Sequence, residues 1–187
     1  LGMDATWAML QQAFKKKKSA NLTWTQGTAE VLPLADRSLQ VIFLSQVWHH
    51  IIEKEKAARE FHRCLKSGGG LYIKTYSHEQ LKARWDLNEI FPELMPLMLS
   101  IYPDIDEMIE TLEATGFAPV TTKATYKEDL MRPSHMLKIM HEKAWSMFSF
   151  LSEEGALSGE ARLRSMVEAG DLLVPYPEVH LLVIAHR

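Results

Sequence analysis

The sequence has one cysteine in 187 residues. That excludes an internal disulfide framework and a paired-cysteine zinc site. No apolar run approaches the ~20 residues that a membrane helix needs, and no signal-peptide pattern opens the chain. No single sign of charge dominates, since 21 Lys and Arg face 24 Asp and Glu for a formal net charge of −3. A broad electrostatic case for nucleic acid is therefore lacking. The four lysines Lys15 to Lys18 read as a solvated helix end, because no second basic cluster supports them. Tandem repeats and low-complexity linkers are absent as well. The composition is that of an ordinary globular domain, 47% hydrophobic and 24% charged. A cytoplasmic protein with no membrane or nucleic-acid partner is expected, its oligomeric state left open.

The elements alternate. Leu1 to Met3 reads as the tail of a strand, and Thr6 to Lys18 as a helix with Thr6 at its N-cap. Leu22 to Gln26 has strand character. Leu39 to Ser45 is a continuous apolar run, the pattern of a strand buried on both faces. Glu53 to Leu65 reads as a helix broken by Lys66 to Gly70, and Leu71 to Tyr76 as the next strand. A helix over 105–115, capped by Gly116, precedes a strand over 119–126. Two more helices are expected over 134–151 and 159–169, then a final strand over 177–185. Strand, helix and strand in this order argue for a parallel sheet covered by helices. One domain over 1–187 is expected, with helical, cap-like segments around 77–104 and 130–170.

Gly27-Thr28-Ala29-Glu30-Val31-Leu32-Pro33-Leu34-Ala35-Asp36 resembles the second motif of the class I S-adenosylmethionine-dependent methyltransferases, in the small-molecule, ubiquinone/menaquinone-methyltransferase-like branch. Three further segments match that family in order. They are Gly2-Met3-Asp4-Ala5-Thr6 with Met9-Leu10, Ser45-Gln46-Val47-Trp48-His49-His50, and Arg63-Cys64-Leu65-Lys66-Ser67-Gly68-Gly69. The resemblance implies a Rossmann-like α/β fold, mostly parallel, with helices on both faces and an antiparallel C-terminal edge strand. It also implies transfer of a methyl group from S-adenosylmethionine to a small molecule. The family's first strand and glycine-rich turn would lie before Leu1, so the chain reads as N-terminally truncated and is expected to be inactive by itself.

The resemblance assigns cofactor contacts to Asp4, Ala5, Thr28, Ala29 and Ser45. A carboxylate at a strand's end, as at Asp4, can accept hydrogen bonds from both ribose hydroxyls. The Ala29 N–H suits an adenine edge, Thr28 offers a hydroxyl, and Ser45 resembles the position facing the cofactor's amino-acid end. Glu30 reads as a solvated carboxylate and Asp36 as a turn residue. His78, Tyr76 and His50 are the acceptor-side candidates for catalysis, because ligands gather beyond the carboxyl ends of strands in open α/β sheets. His49 with Glu53 invites a metal reading, but no third ligand is evident, so no metal is assigned. The apolar residues Met95, Met98, Met136, Met140 and Trp145 suggest a lid or simply core. Two rivals stay open: a non-catalytic methyltransferase-like binding protein and a nicotinamide-dependent reductase.

Overall fold

Strand pairing separates the chain into a short parallel pair and a mixed four-stranded sheet. The computed structural model describes residues 1–16, 21–127, 129–176 and 178–187. Lys17 and Lys18 of the basic run, and Pro177 at the expected start of the last strand, lie outside them. Strand β1 (Gly2–Asp4) pairs in parallel with β2 (Trp24–Gln26), and helix α1 (Trp7–Lys15) connects them. The second sheet has the order β3-β4-β8-β5, from β3 (Leu39–Ser45), β4 (Leu65–Thr75), β8 (Glu178–His186) and β5 (Val120–Lys127). β3 and β4 are parallel, whereas β8 runs antiparallel to both β4 and β5. The closing strand expected at the edge is thus an interior strand, and β5 takes the edge.

One face of this sheet is covered. Leu44, Leu71, Ile73, Val183 and Ala185 form a cluster with Ala57, Ala58, Phe61 and Cys64 of α2 (Lys54–Cys64) and with Met108 and Leu112 of α5 (Ile105–Ala114). The other face is open at β3, where Val41 and Phe43 are 54% and 61% exposed. Burial of β3 on both faces was expected from its unbroken apolar run. The face that carries Val41 and Phe43 is uncovered, and among the described residues β3 pairs only with β4.

Two further expectations differ from the structure. Lys66 to Gly70, expected to separate the helix from a strand starting at Leu71, instead lies within β4, at an irregularity where pairing jumps from Leu39↔Leu65 to Val41↔Gly70. Gly68 there has φ +72°, and the Gly68 N–H and Gly69 carbonyl pair with the Arg187 backbone. The tail of the chain therefore supplies the hydrogen bonds that keep the glycine segment extended. The helix expected over 134–151 is two pieces, α6 (Pro133–His141) and a 3-10 turn (Ser146–Phe150), with Lys143 in a left-handed conformation between them.

A second apolar cluster stands apart from the sheet. It joins α3 (His78–Lys82), a π-helical turn (Asp86–Ile90), α4 (Leu94–Ile101), α6 and α7 (Glu153–Glu168). Phe91, Met136, Met147, Phe148 and Leu163 are among its buried members. Gly159 lets α7 close on Phe91, since a Cβ at this glycine would lie 2.3 Å from the Phe91 ring. Two short strands, β6 (Leu130–Met131) and β7 (Val174–Pro175), pair antiparallel beside this cluster and were not anticipated.

Candidate active site

The candidate residues gather at the carboxyl ends of the strands. Asp4 ends β1, and its Oδ1 accepts from the Thr6 N–H at 2.8 Å and the Thr6 hydroxyl at 2.9 Å. Thr6 occupies the N-cap position of α1, but its side chain serves Asp4 and makes no cap bond. The carboxylate is thereby aimed by the turn that follows it. The Ala5 carbonyl accepts from Gln26 Nε2 at 2.9 Å, and the Gly27 N–H donates to the Asp4 carbonyl at 3.2 Å. These contacts lock the ends of β1 and β2 together.

The turn after β2 is stiffened from several sides. The Val31 N–H donates to the Thr28 carbonyl, and the Thr28 hydroxyl bonds the Glu30 carboxylate. The Glu30 Oε1 also accepts from the Ile52 N–H at 3.3 Å. Burial pushes the Glu30 carboxyl up, but these donors outweigh it and hold it below its ordinary value. Glu30, expected as a solvated side chain, is a brace between the turn and the approach to α2. Farther along, Arg63 reaches from α2 to the carbonyls of Leu32 and Leu34, to Asp36 at 2.6 Å, and to Glu60. Glu60 in turn accepts from the Leu32 N–H at 2.8 Å. Asp36 stands in a turn with Arg37, as expected, and is also an ion-pair partner for Arg63, and Ala29 packs against the sheet cluster.

A cavity of about 610 Å³ lies between the ends of β3 and β4 and the cap helices, within the ~300–1,000 Å³ of small-molecule sites. Gln46, His49, His50 and Tyr76 line its sheet side, and Arg84, Tyr102, Trp145 and Tyr176 its cap side. Ser45 is exposed at the end of β3, one residue before this wall. Tyr76 and His50 are therefore brought together. His78 is not on the wall: it is the first residue of α3, and its Nε2 lies 2.8 Å from the Tyr102 carbonyl. That contact makes His78 a tie between α3 and the end of α4. His49 and Glu53 do not share a helix, because a 3-10 turn ends at His50 and α2 begins at Lys54. The His49 ring lies against His50 and Tyr102, at centroid distances of 4.0 and 4.1 Å. Burial, with His50 and Lys54 nearby, lowers its pKa to about 4, so the ring is neutral near pH 7. Burial likewise pushes the Tyr102 phenol up to about 12.

The strongest electrostatic feature has no counterpart in the sequence pattern. Arg84 and Asp86 form a two-point ion pair, Nε to Oδ1 at 3.0 Å and Nη2 to Oδ2 at 2.5 Å. Asp86 is fully buried. Burial pulls the Arg84 pKa down, and the Asp86 carboxylate more than offsets this, so the guanidinium stays charged. Nη2 also donates to the Tyr176 hydroxyl at 2.9 Å. Nothing in a chain-local pattern marks Tyr176 as a partner 92 positions away. Gln46 falls within a matched motif that assigns it no role. Its φ of 55° is a rarer signal, visible only in the backbone.

The comparisons with known proteins bear on this arrangement. A family described as "Methyltransferase domain" matches residues 1–73. Over that segment the chain is similar to S-adenosylmethionine-dependent methyltransferases. A ubiquinone/menaquinone biosynthesis C-methyltransferase from Escherichia fergusonii is 28% identical over 139 residues, 63% of this chain and 55% of that protein. The uncharacterized methyltransferase YcgJ of Bacillus subtilis is 40% identical over 83 residues, 42% of this chain and 33% of that protein. The chain thus spans about half the length, or less, of these curated relatives. The crystal structure of a methyltransferase assigned to antibiotic biosynthesis in Anabaena variabilis matches with a TM-score of 0.75 at 19% identity. That match covers 99% of this chain and 80% of the other, and it establishes the Rossmann-like methyltransferase fold. S-adenosylmethionine is the family's cofactor. The donor set suits a nucleoside: a half-buried carboxylate at the end of β1, a braced turn after β2, and an aromatic cavity beyond β3 and β4.

Among the described residues no helix is long and apolar enough to cross a membrane.

Proposed function

We propose that this protein transfers a methyl group from S-adenosylmethionine to a small molecule held in the cavity beneath the cap. The observation that carries the reading is the convergence of Asp4, the Thr28–Ala29 turn and Ser45 on strand ends, with the aromatic cavity following directly at Gln46. Asp4 accepts hydrogen bonds from the ribose hydroxyls, and its turn with Thr6 fixes the carboxylate's direction. Ala5 shapes the same strand end. The Ala29 N–H serves the adenine edge, while the Thr28 hydroxyl is committed to Glu30. Ser45 faces the amino-acid end. Bound S-adenosylmethionine supplies an electrophilic methyl on its sulfonium.

The chain's own task is then to orient the acceptor and keep water away. Positioning of this kind supplies ~7–11 kcal/mol of a bimolecular barrier. Of the three acceptor-side candidates, His50 and Tyr76 reach the cavity and can hold or take a proton there. His78 acts on α4 through the Tyr102 carbonyl.

The test is calorimetry with S-adenosylhomocysteine on the product of the whole reading frame that encodes these residues. Asp4→Ala is expected to weaken binding by about 1.5–3 kcal/mol, the scale of a hydrogen bond to a charged group, with an unchanged melting temperature. Unchanged affinity with early melting makes Asp4 a helix-entry brace and overturns the assignment.

A further inference from the structure

The cavity's charges are already spent inside the protein. Among the described residues on its wall there is no Asp or Glu, and Arg84 is the one wall residue with a fixed charge. Both Asp86 oxygens are taken by that arginine, and Asp86 has no exposed surface. The guanidinium also occupies the aromatic faces that could hold a cation. Its Cζ lies 5.4 Å from the Tyr76 ring, 5.8 Å from Trp145 and 5.9 Å from Tyr176. An ammonium entering here finds no carboxylate and meets a positive charge where cation–π attraction would otherwise draw it. An anion must compete with Asp86 for Arg84.

Two buried polar atoms of the described wall residues have no hydrogen-bond partner. Gln46 Nε2 and His49 Nδ1 are shielded from water and make no hydrogen bond, although Gln46 Oε1 accepts from the Tyr102 hydroxyl at 3.2 Å. Leaving such groups unpaired costs about 1–3 kcal/mol each. Gln46 also stands in a left-handed backbone conformation immediately after β3. Strained residues with unmet hydrogen bonds at a strand end are where binding sites store their demands. Gln46 lines the cavity, so a ligand oxygen there is the kind of partner its amide lacks.

We propose that the cavity takes an uncharged acceptor with a flat apolar face and a hydroxyl or carbonyl oxygen, which Gln46 recognises, and that it rejects ammonium compounds. This rests on the methyl-transfer reading for the word acceptor, but the binding preference stands on the cavity alone. His49 strengthens it, since its ring is neutral near pH 7 and adds no charge. Gln46 is here a specificity residue, because it selects among acceptors without taking part in bond making.

The test uses naphthol, naphthylmethylammonium and naphthoate, three molecules with one ring system and three charges, titrated at neutral pH and followed by calorimetry. Naphthol is expected to bind at least about tenfold more tightly than the ammonium compound. Gln46→Ala is expected to weaken naphthol about three- to tenfold and to leave naphthalene unchanged. Gln46→Glu, which keeps the side chain's shape and places a carboxylate on the wall, is expected to reverse the order in favour of naphthylmethylammonium. Equal binding of naphthol and the ammonium compound overturns the proposal. So does binding of none of the three, or an unreversed order in a folded Gln46→Glu protein. Failure of S-adenosylhomocysteine to bind overturns the functional reading while leaving this preference intact. Methyl transfer to an amine does the opposite.

Discussion

Two arginines show how the sheet half and the cap half differ. Arg63 lies outside the sheet cluster with 31% of its side chain exposed, and it ties α2 to the backbone of the Leu32–Asp36 loop. Arg84 is 15% exposed, paired with a fully buried Asp86 and surrounded by aromatic rings. The first joins pieces whose shape the strand ladder already fixes. The second sits where irregular segments meet, and it organises rings contributed by residues 76, 145 and 176. A sheet needs little help from charge to be unique. A cap of short helices with a methionine-rich core has interchangeable packings, and one buried two-point pair picks among them. That role for the pair is a hypothesis for this protein.

The largest effect expected from breaking this contrast is in Asp86→Ala. It leaves a buried guanidinium without its carboxylate, and removing one partner of a buried pair costs about 3–5 kcal/mol. Chemical denaturation measures the loss. The double variant Arg84→Met with Asp86→Leu is expected to recover most of it, because the pair's desolvation disappears with the pair. If the double variant is as unstable as Asp86→Ala, the aromatic contacts of Arg84 matter more than its charge balance.

How much of this could be read from residues alone follows the same division. β3 matches its expected span, 39–45, because a short run dominated by Leu39, Val41, Ile42, Phe43 and Leu44 has few other uses. α2 and α5 fall within a residue or so of expectation, since their apolar faces repeat at helical spacing. Asp4 and the Thr28–Ala29 turn were legible through a family resemblance and lie at strand ends. The cap was not legible in detail. Apart from α6 and α7, its elements are short helical pieces around Pro92, Pro96 and Pro103, a π turn, and a 3-10 turn, too short to show a clear period. Arg84–Asp86 is two residues apart in sequence, a spacing that signals nothing. The Arg84–Tyr176 contact depends on the whole cap folding. The placement of β8 between β4 and β5 is likewise tertiary, because either location satisfies the apolar pattern of its own residues.

Glycine sharpens the contrast at a smaller scale. In the cap, Gly159→Ala drives a methyl group into the Phe91 ring and is expected to cost about 1–3 kcal/mol through overpacking. In the sheet, a Cβ added at Gly68 would have nothing within 4 Å, so Gly68→Ala meets only the penalty of a φ of +72°, about 1 kcal/mol. Thermal unfolding of the two variants compares them directly. A second substitution, Phe91→Leu, is expected to rescue Gly159→Ala and to leave Gly68→Ala unchanged. Rescue of both, or of neither, removes the distinction between packing in the cap and backbone strain in the sheet.

The smallest effect concerns pH, at the seam between the halves. The His49 ring lies tilted against Tyr102, and burial lowers its pKa from 6.5 to about 4. The folded-state value lies below the unfolded one, so the unfolded chain binds the proton first. Above about pH 6.5 both states are neutral at this ring and its contribution to stability is complete. As pH falls from there toward 4, the unfolded chain gains a proton that the folded one refuses, and stability declines. One such proton limits the slope to about 1.4 kcal/mol per pH unit, and solvent reaching the partly exposed ring lowers it further. His62 shifts in the same direction, through burial and Arg187, so the wild-type profile alone does not isolate His49. His49→Gln does, because it keeps a hydrogen-bonding side chain and has no titration. Denaturation at intervals from pH 7 to 4.5 is expected to show the advantage of the wild type over His49→Gln shrinking steadily with acid. An advantage that stays constant across that range places the ring in contact with water in both states and removes the neutral histidine from the cavity's account.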